Sequence, residues 1–129
     1  MNGKRIFLTT VISSSMLQEL FKGDFSLQFV PVNEGIEILK DINFISALKD
    51  EAVVNFLNKK GIDKAVLNPE EYIELFPGDT LYVINPKTSR EARRGKELPD
   101  HTIMTITKCV AWKTSELTKQ HVIEALDEN

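Results

Sequence analysis

The chain has 129 residues with sixteen lysines and arginines against nineteen acids, a net charge of −3, which excludes generic duplex nucleic-acid binding because that affinity comes from neutralising phosphates. At 42% hydrophobic and 27% charged residues it reads as a single domain over residues 1–129, long enough to bury a core. Cys109 is the only cysteine, so an internal disulfide and a multi-cysteine zinc site are excluded and a reducing cytoplasm fits; no apolar run nears the roughly 18 residues of a spanning helix, and no secretion signal opens the chain.

The first element is a strand over residues 4–10. KRIFLTT is rich in aromatic, β-branched and aliphatic residues, as suits a strand buried on both faces. It runs into Ser13-Ser14-Ser15, a cluster of helix N-cap residues, after which Met16, Leu17, Leu20 and Phe21 keep helical spacing until Gly23. A strand, Ser-rich turn and helix leave backbone N–H groups at the positive end of the helix dipole and add hydroxyls, which suits a phosphate. The same serines also serve as plain caps, and the residues alone leave both readings open.

Residues 25–30 alternate apolar and polar side chains as a half-buried strand does, and Pro31 ends it. The stretch 35–43, GIEILKDIN, fits a short helical turn or an irregular strand. Ile45, Leu48, Ala52, Val53, Phe56 and Leu57 then form one apolar stripe at helical spacing, ended by Asn58-Lys59-Lys60-Gly61. Residues 65–67 make a short strand before an Asn68-Pro69 turn. Residues 72–76 and 80–84, joined through Pro77-Gly78-Asp79, read as a hairpin. Residues 102–112 form a strand with Ile103, Thr105 and Thr107 on one face and Met104, Ile106 and Val110 on the other. Thr114 or Ser115 caps a last amphipathic segment, 116–126. This order predicts an α/β fold, a mixed β-sheet flanked by helices.

Three stretches bear on chemistry. Within residues 87–96, KTSREARRGK, lie Lys87, Arg90, Arg93, Arg94 and Lys96, five of the sixteen basic residues. In an acidic protein this is either a solvated loop or a local anion site, and the arginine fork suits phosphate. Lys49, with Asp50, lies at the start of the second helix, where it is either a surface lysine or a phosphate contact. His101 and His121 stand in no metal-ligand pattern, and there is no Gly-rich nucleotide loop, nucleophile elbow or paired-histidine zinc motif. No cofactor and no metal are expected.

With these residues in view, the chain resembles the small viral ring-nuclease family, the type III anti-CRISPR proteins of archaeal viruses and phages. IFLTTVISSSML is similar to that family's hydrophobic strand, N-A-F-S turn and Met-Leu helix start, with Thr10 where the family has Asn and Ser13 where it has its ligand-contacting Ser. The helix over 45–57 with Asp50 resembles the family's second helix, and Asp79-Thr80-Leu81-Tyr82-Val83, followed by an Arg-bearing segment and Gly95, resembles its later part.

The resemblance implies a mixed sheet flanked by helices, a homodimer or higher even-numbered assembly in the cytoplasm (that of the host cell, if the protein is viral), and a dimer-interface pocket for cyclic tetra-adenylate, which the family cleaves without metal. It also implies the residues that would hold the ligand: Thr10, Ser13, Ser14, Ser15, Lys49, Arg90, Arg93 and Arg94. The family's catalytic His falls at Lys49 here, and its Arg four residues before the glycine falls at Glu91, beside Arg90. A lysine with an ordinary pKa of about 10 is a poor general acid or base at neutral pH but a good fixed charge. The expectation is therefore a protein that binds and sequesters the signal, with no enzymatic step. The alternatives are a ring nuclease in which Lys49 is catalytic, with His101 next in line, and a dimer that contacts a host protein and takes no nucleotide.

Overall fold

The computed structural model describes residues 4–10, 20, 24–87, 98 and 102–112. Five strands form one sheet: β1 (Ile6–Thr9), β2 (Asp24–Val30), β3 (Ile45–Ser46), β4 (Thr80–Pro86) and β5 (Met104–Trp112), in the order β2-β5-β4-β1-β3. β1 is parallel to β3 and β4, while β5 is antiparallel to both β4 and β2. β1, β2, β3 and β4 therefore point one way and β5 alone points back. The described helices are α1 (Val32–Asp41) and α2 (Glu51–Lys59), so the chain is an α/β protein with a mixed sheet. No helix among the described residues is long and apolar enough to cross a membrane.

β1 is an interior strand, flanked by β4 and β3, and its apolar sequence follows from that place. Phe7 and Leu8 are buried on opposite faces. Leu8 joins Tyr82, Ile84 and Ile106 under Ile36 and Leu39 of α1 and Val53, Val54 and Leu57 of α2. Phe7 joins Leu81, Val83, Cys109 and Ala111 under Ala47, Ile73 and Leu75, with Leu20 packed alongside. Both described helices thus lie on one face. The predicted helix between the Ser13, Ser14 and Ser15 cluster and Gly23, apart from Leu20, that serine cluster itself, the Arg90, Arg93 and Arg94 stretch, His101, and the terminal segment 116–126 lie outside the described residues.

Three readings from the sequence are corrected, and the open stretch 35–43 is settled. The helix expected from Ile45 begins only at Glu51: Ile45 and Ser46 pair with Phe7 and Leu8, and Asp50 caps the helix by accepting the Ala52 N–H at 3.0 Å. A two-residue strand followed by a helix happened to keep helical spacing. The ambiguous stretch 35–43 lies mostly in α1, whose Gly35 is there for packing: a Cβ on it would stand 2.6 Å from Ile106 Cδ1, so the helix crosses β5 too closely for a side chain. The hairpin over 72–84 does not form. Its turn exists, with Asp79 N–H donating to the Phe76 carbonyl at 2.9 Å and Gly78 at φ +97°, but Leu75 N–H donates to Leu20 and β4 pairs with β1 and β5 instead. Residues 65–67 contribute one bridge, Leu67 to Leu48, and no strand.

Asp79 locks the turn to the start of β1. Its carboxylate accepts from the Arg5 guanidinium at 2.7 Å, the Arg5 N–H at 3.1 Å and the Phe76 N–H at 3.0 Å, and Arg5 also donates to the Glu74 carbonyl at 2.9 Å. Burial alone would push the Asp79 pKa up, but the Arg5 hydrogen bond, the two backbone N–H donors and the Arg5 charge together hold it below its ordinary 3.8. A depressed folded pKa stabilises above the unfolded value, and that contribution is lost as pH falls through the folded one. Asp79→Asn should therefore lower the urea midpoint at pH 7 by the equivalent of about 2 kcal/mol and flatten the fall in stability below pH ~4. Gly35→Val should cost about 1–3 kcal/mol by overpacking, read in the same unfolding curves.

Candidate functional site

The carboxyl ends of the four co-directed strands meet at one edge of the sheet. β1 ends there and continues through Thr10, β3 through Leu48 to Lys49, and β4 through Pro86 to Lys87, while β5 begins there after Thr102 and Ile103. Lys87 N–H donates to the Ile103 carbonyl, at 2.6 Å, which ties the two ends of the arginine-bearing connection, residues 88–101, to this same edge. The serine-bearing connection, residues 11–19, leaves from Thr10. All the candidate segments read from the sequence are thus attached at one end of the sheet, although they are far apart along the chain.

Neighbouring strands β1 and β3 send their chains to opposite faces. The chain after β1 reaches Leu20 in the cluster with Phe7 and Leu75, whereas the chain after β3 enters α2 on the Leu8 face. Open α/β sheets bind ligands where adjacent connections part in this way, outside the carboxyl ends of the strands. The two strands are held together at that point: Ala47 N–H donates to the Leu8 carbonyl at 2.8 Å, and the buried Thr9 hydroxyl donates to the Ala47 carbonyl at 3.1 Å. Thr10 is buried and Lys49 is exposed, both at this end of the sheet.

The start of α2 contributes little to anion binding itself. Asp50 already satisfies the Ala52 N–H, and Asp50 and Glu51 place two carboxylates at the positive end of the helix. Among the described residues, positive charge at this end of the sheet comes from Lys49 and Lys87. Among the described residues no group of His, Cys, Asp and Glu side chains is arranged to hold a metal ion.

A second concavity lies on the α1 and α2 face, an open cleft of about 560 Å³ between the helices and the start of β5. Ile36, Phe56 and Met104 form apolar walls, and Lys40 and Lys60 stand at its margin. Both lysines already have partners: Lys40 Nζ lies 3.1 Å from Glu37, and Lys60 Nζ lies 5.6 Å from the centre of the Phe56 ring. Nothing in the sequence marks this cleft, because residues 35–43 fit either of two elements and Lys60 reads only as a helix-ending cation.

No protein-family model matches the chain, and no curated protein matches it. What the fold defines is a class, an α/β protein with a mixed five-stranded sheet. Lys49 makes no hydrogen bond or ion pair with the described residues, so Lys49→Ala should change unfolding free energy by less than about 0.5 kcal/mol, measured by urea denaturation. Any loss of ligand in that variant is then a loss of contact and not of fold.

Proposed function

We propose that this chain is an anti-defence protein of viral or phage type that binds and sequesters a cyclic nucleotide immune signal in the host cytoplasm, working as a homodimer or an even-numbered assembly. One observation carries the reading: Thr10, Lys49 and Lys87, together with the attachment points of the connections bearing Ser13, Ser14 and Ser15 and Arg90, Arg93 and Arg94, share the carboxyl edge of the sheet. Hydroxyls, backbone N–H groups, lysine and arginine are the groups a ring of phosphodiesters requires. The resemblance of the opening strand and turn to viral ring nucleases supplies the ligand class, and Lys49 at that family's histidine position favours holding the ring over cutting it.

The test is to incubate the protein with a panel of cyclic oligonucleotides and chromatograph the mixture before and after heat denaturation. Ligand that disappears and returns intact is the expected outcome. Linear product would overturn sequestration in favour of a metal-independent ring nuclease, with Lys49 and then His101 the groups to replace. Ligand unchanged throughout would overturn both nucleotide readings and leave a protein that acts on a host partner. Lys49→Ala and Arg93→Ala with Arg94→Ala should each weaken binding about tenfold or more, since charge-assisted contacts contribute about 1.5–3 kcal/mol apiece. Binding should also weaken with rising salt.

A further inference from the structure

The cleft between α1 and α2 is built alike on both sides. α1 leaves the carboxyl end of β2 and α2 the carboxyl end of β3, and both run back toward the other end of the sheet. Their far ends lie together there: Lys64 Nζ donates to the Ile42 carbonyl at 3.3 Å, and a Cβ on Gly61 would stand 3.3 Å from Lys40 Cε. The helices are therefore co-directed. Each offers the cleft an apolar residue and, four positions on, a lysine: Ile36 then Lys40, and Phe56 then Lys60. Apolar walls thus lead on both sides to an ammonium group at the same end.

Neither lysine is used up. An ammonium has three donors, and Lys40 spends one of them on Glu37. Lys60 Nζ rests 5.6 Å from the centre of the Phe56 ring and has no acceptor among the described residues. Two ammonium groups against the one Glu37 carboxylate leave this end with a single surplus positive charge, in a protein whose net charge is −3. The rest of the cleft is narrow. Ile36 and Met104 are only 7% and 4% exposed although both line it, so what reaches them is one methylene wide and not a helix, which is about 10 Å across. The α1 wall from Val32 to Lys40 rises through about 12 Å, and Ile103, 65% exposed, stands toward the end away from the lysines.

We propose that this cleft is a binding site for a linear amphiphile with one negative charge, a medium-chain alkyl carboxylate. Its head lies between Lys40 and Lys60, and its chain runs past Ile36, Phe56 and Met104 toward Ile103. Each property of the ligand answers one of the cleft: the single surplus charge calls for a monoanion, the covered floor for an unbranched chain, and the length of the wall for a chain near that of decanoate. Neither Lys49 nor Lys87 lines the cleft, so the proposal stands or falls separately from nucleotide binding.

Calorimetric titration with hexanoate, octanoate, decanoate and dodecanoate, each below its micelle-forming concentration, is the test. Affinity should rise about threefold per added methylene as far as decanoate and flatten at dodecanoate, whose end leaves the cleft. Decyltrimethylammonium, with the same chain and the opposite charge, should bind about tenfold more weakly than decanoate or not at all. Lys40→Gln with Lys60→Gln should weaken decanoate binding about tenfold, with far-ultraviolet circular dichroism unchanged. In protein carrying methyl-labelled methionine, decanoate should shift the Met104 methyl signal, assigned through Met104→Leu. Should the lysine variant fail to fold, the ligand series on unmodified protein decides. The proposal is overturned if no saturable binding occurs, or if affinity is indifferent to chain length, as it would be at a site for an acidic peptide. Equal binding of decyltrimethylammonium, full affinity in a folded lysine variant, or a Met104 signal that stays in place would overturn it as well.

Discussion

The buried carboxylate of Asp79 is the constraint on which the sheet depends. It gathers three donors, two from Arg5 and one from Phe76, at the point where the chain enters β4 beside the start of β1. A parallel strand pair has no hairpin to set its register, so something else must. Here Arg5 N–H, bonded to Asp79, and the Arg5 carbonyl, accepting the Thr80 N–H at 2.9 Å, set Ile6 against Thr80, and the pairing runs in step to Thr9 against Val83. The guanidinium also lies over the rings of Phe7 and Phe76, so the ion pair is packed as well as bonded.

That lock gives the two ends of the sheet different characters. At the amino end of β1 and β4 the polar groups are spent on one another: Arg5, Asp79 and the Glu74 carbonyl form a closed set. At the carboxyl end Lys49 is uncommitted among the described residues, Thr10 follows β1 beside β3, and the connections that bear Ser13 to Ser15 and Arg90 to Arg94 are attached.

What could be read in advance followed from where local pattern and tertiary role agree. β1 and β5 were legible because strands flanked on both sides carry dense apolar and β-branched sequence, and the Pro77-Gly78 turn because proline and glycine sit where the turn requires them. α1 was not, because Gly35 lowers helix propensity for the sake of contact with Ile106, a reason visible only once the helix lies on the sheet. Ile45 and Leu48 misled for the opposite reason, their spacing matching a helix that begins six residues later than Ile45, at Glu51. The hairpin failed because alternation marks a strand without naming its partner. As for the site, the residue types were readable at Thr10 and Lys49, but their convergence was not, since adjacency of parallel strands leaves no local mark in sequence.

The order of the strands also bears on how the protein is made. Of the described strands β1 is made first, yet one of its neighbours, β4, lies 74 positions further along the chain by the Arg5 to Asp79 contact, and β2 has only β5 as its partner among the described strands. During synthesis the most apolar strand waits without a sheet to enter, and the second strand waits until nearly all described residues have been made. The described sheet can therefore be completed only once β4 and β5 have been made, and non-local pairing of this kind slows folding.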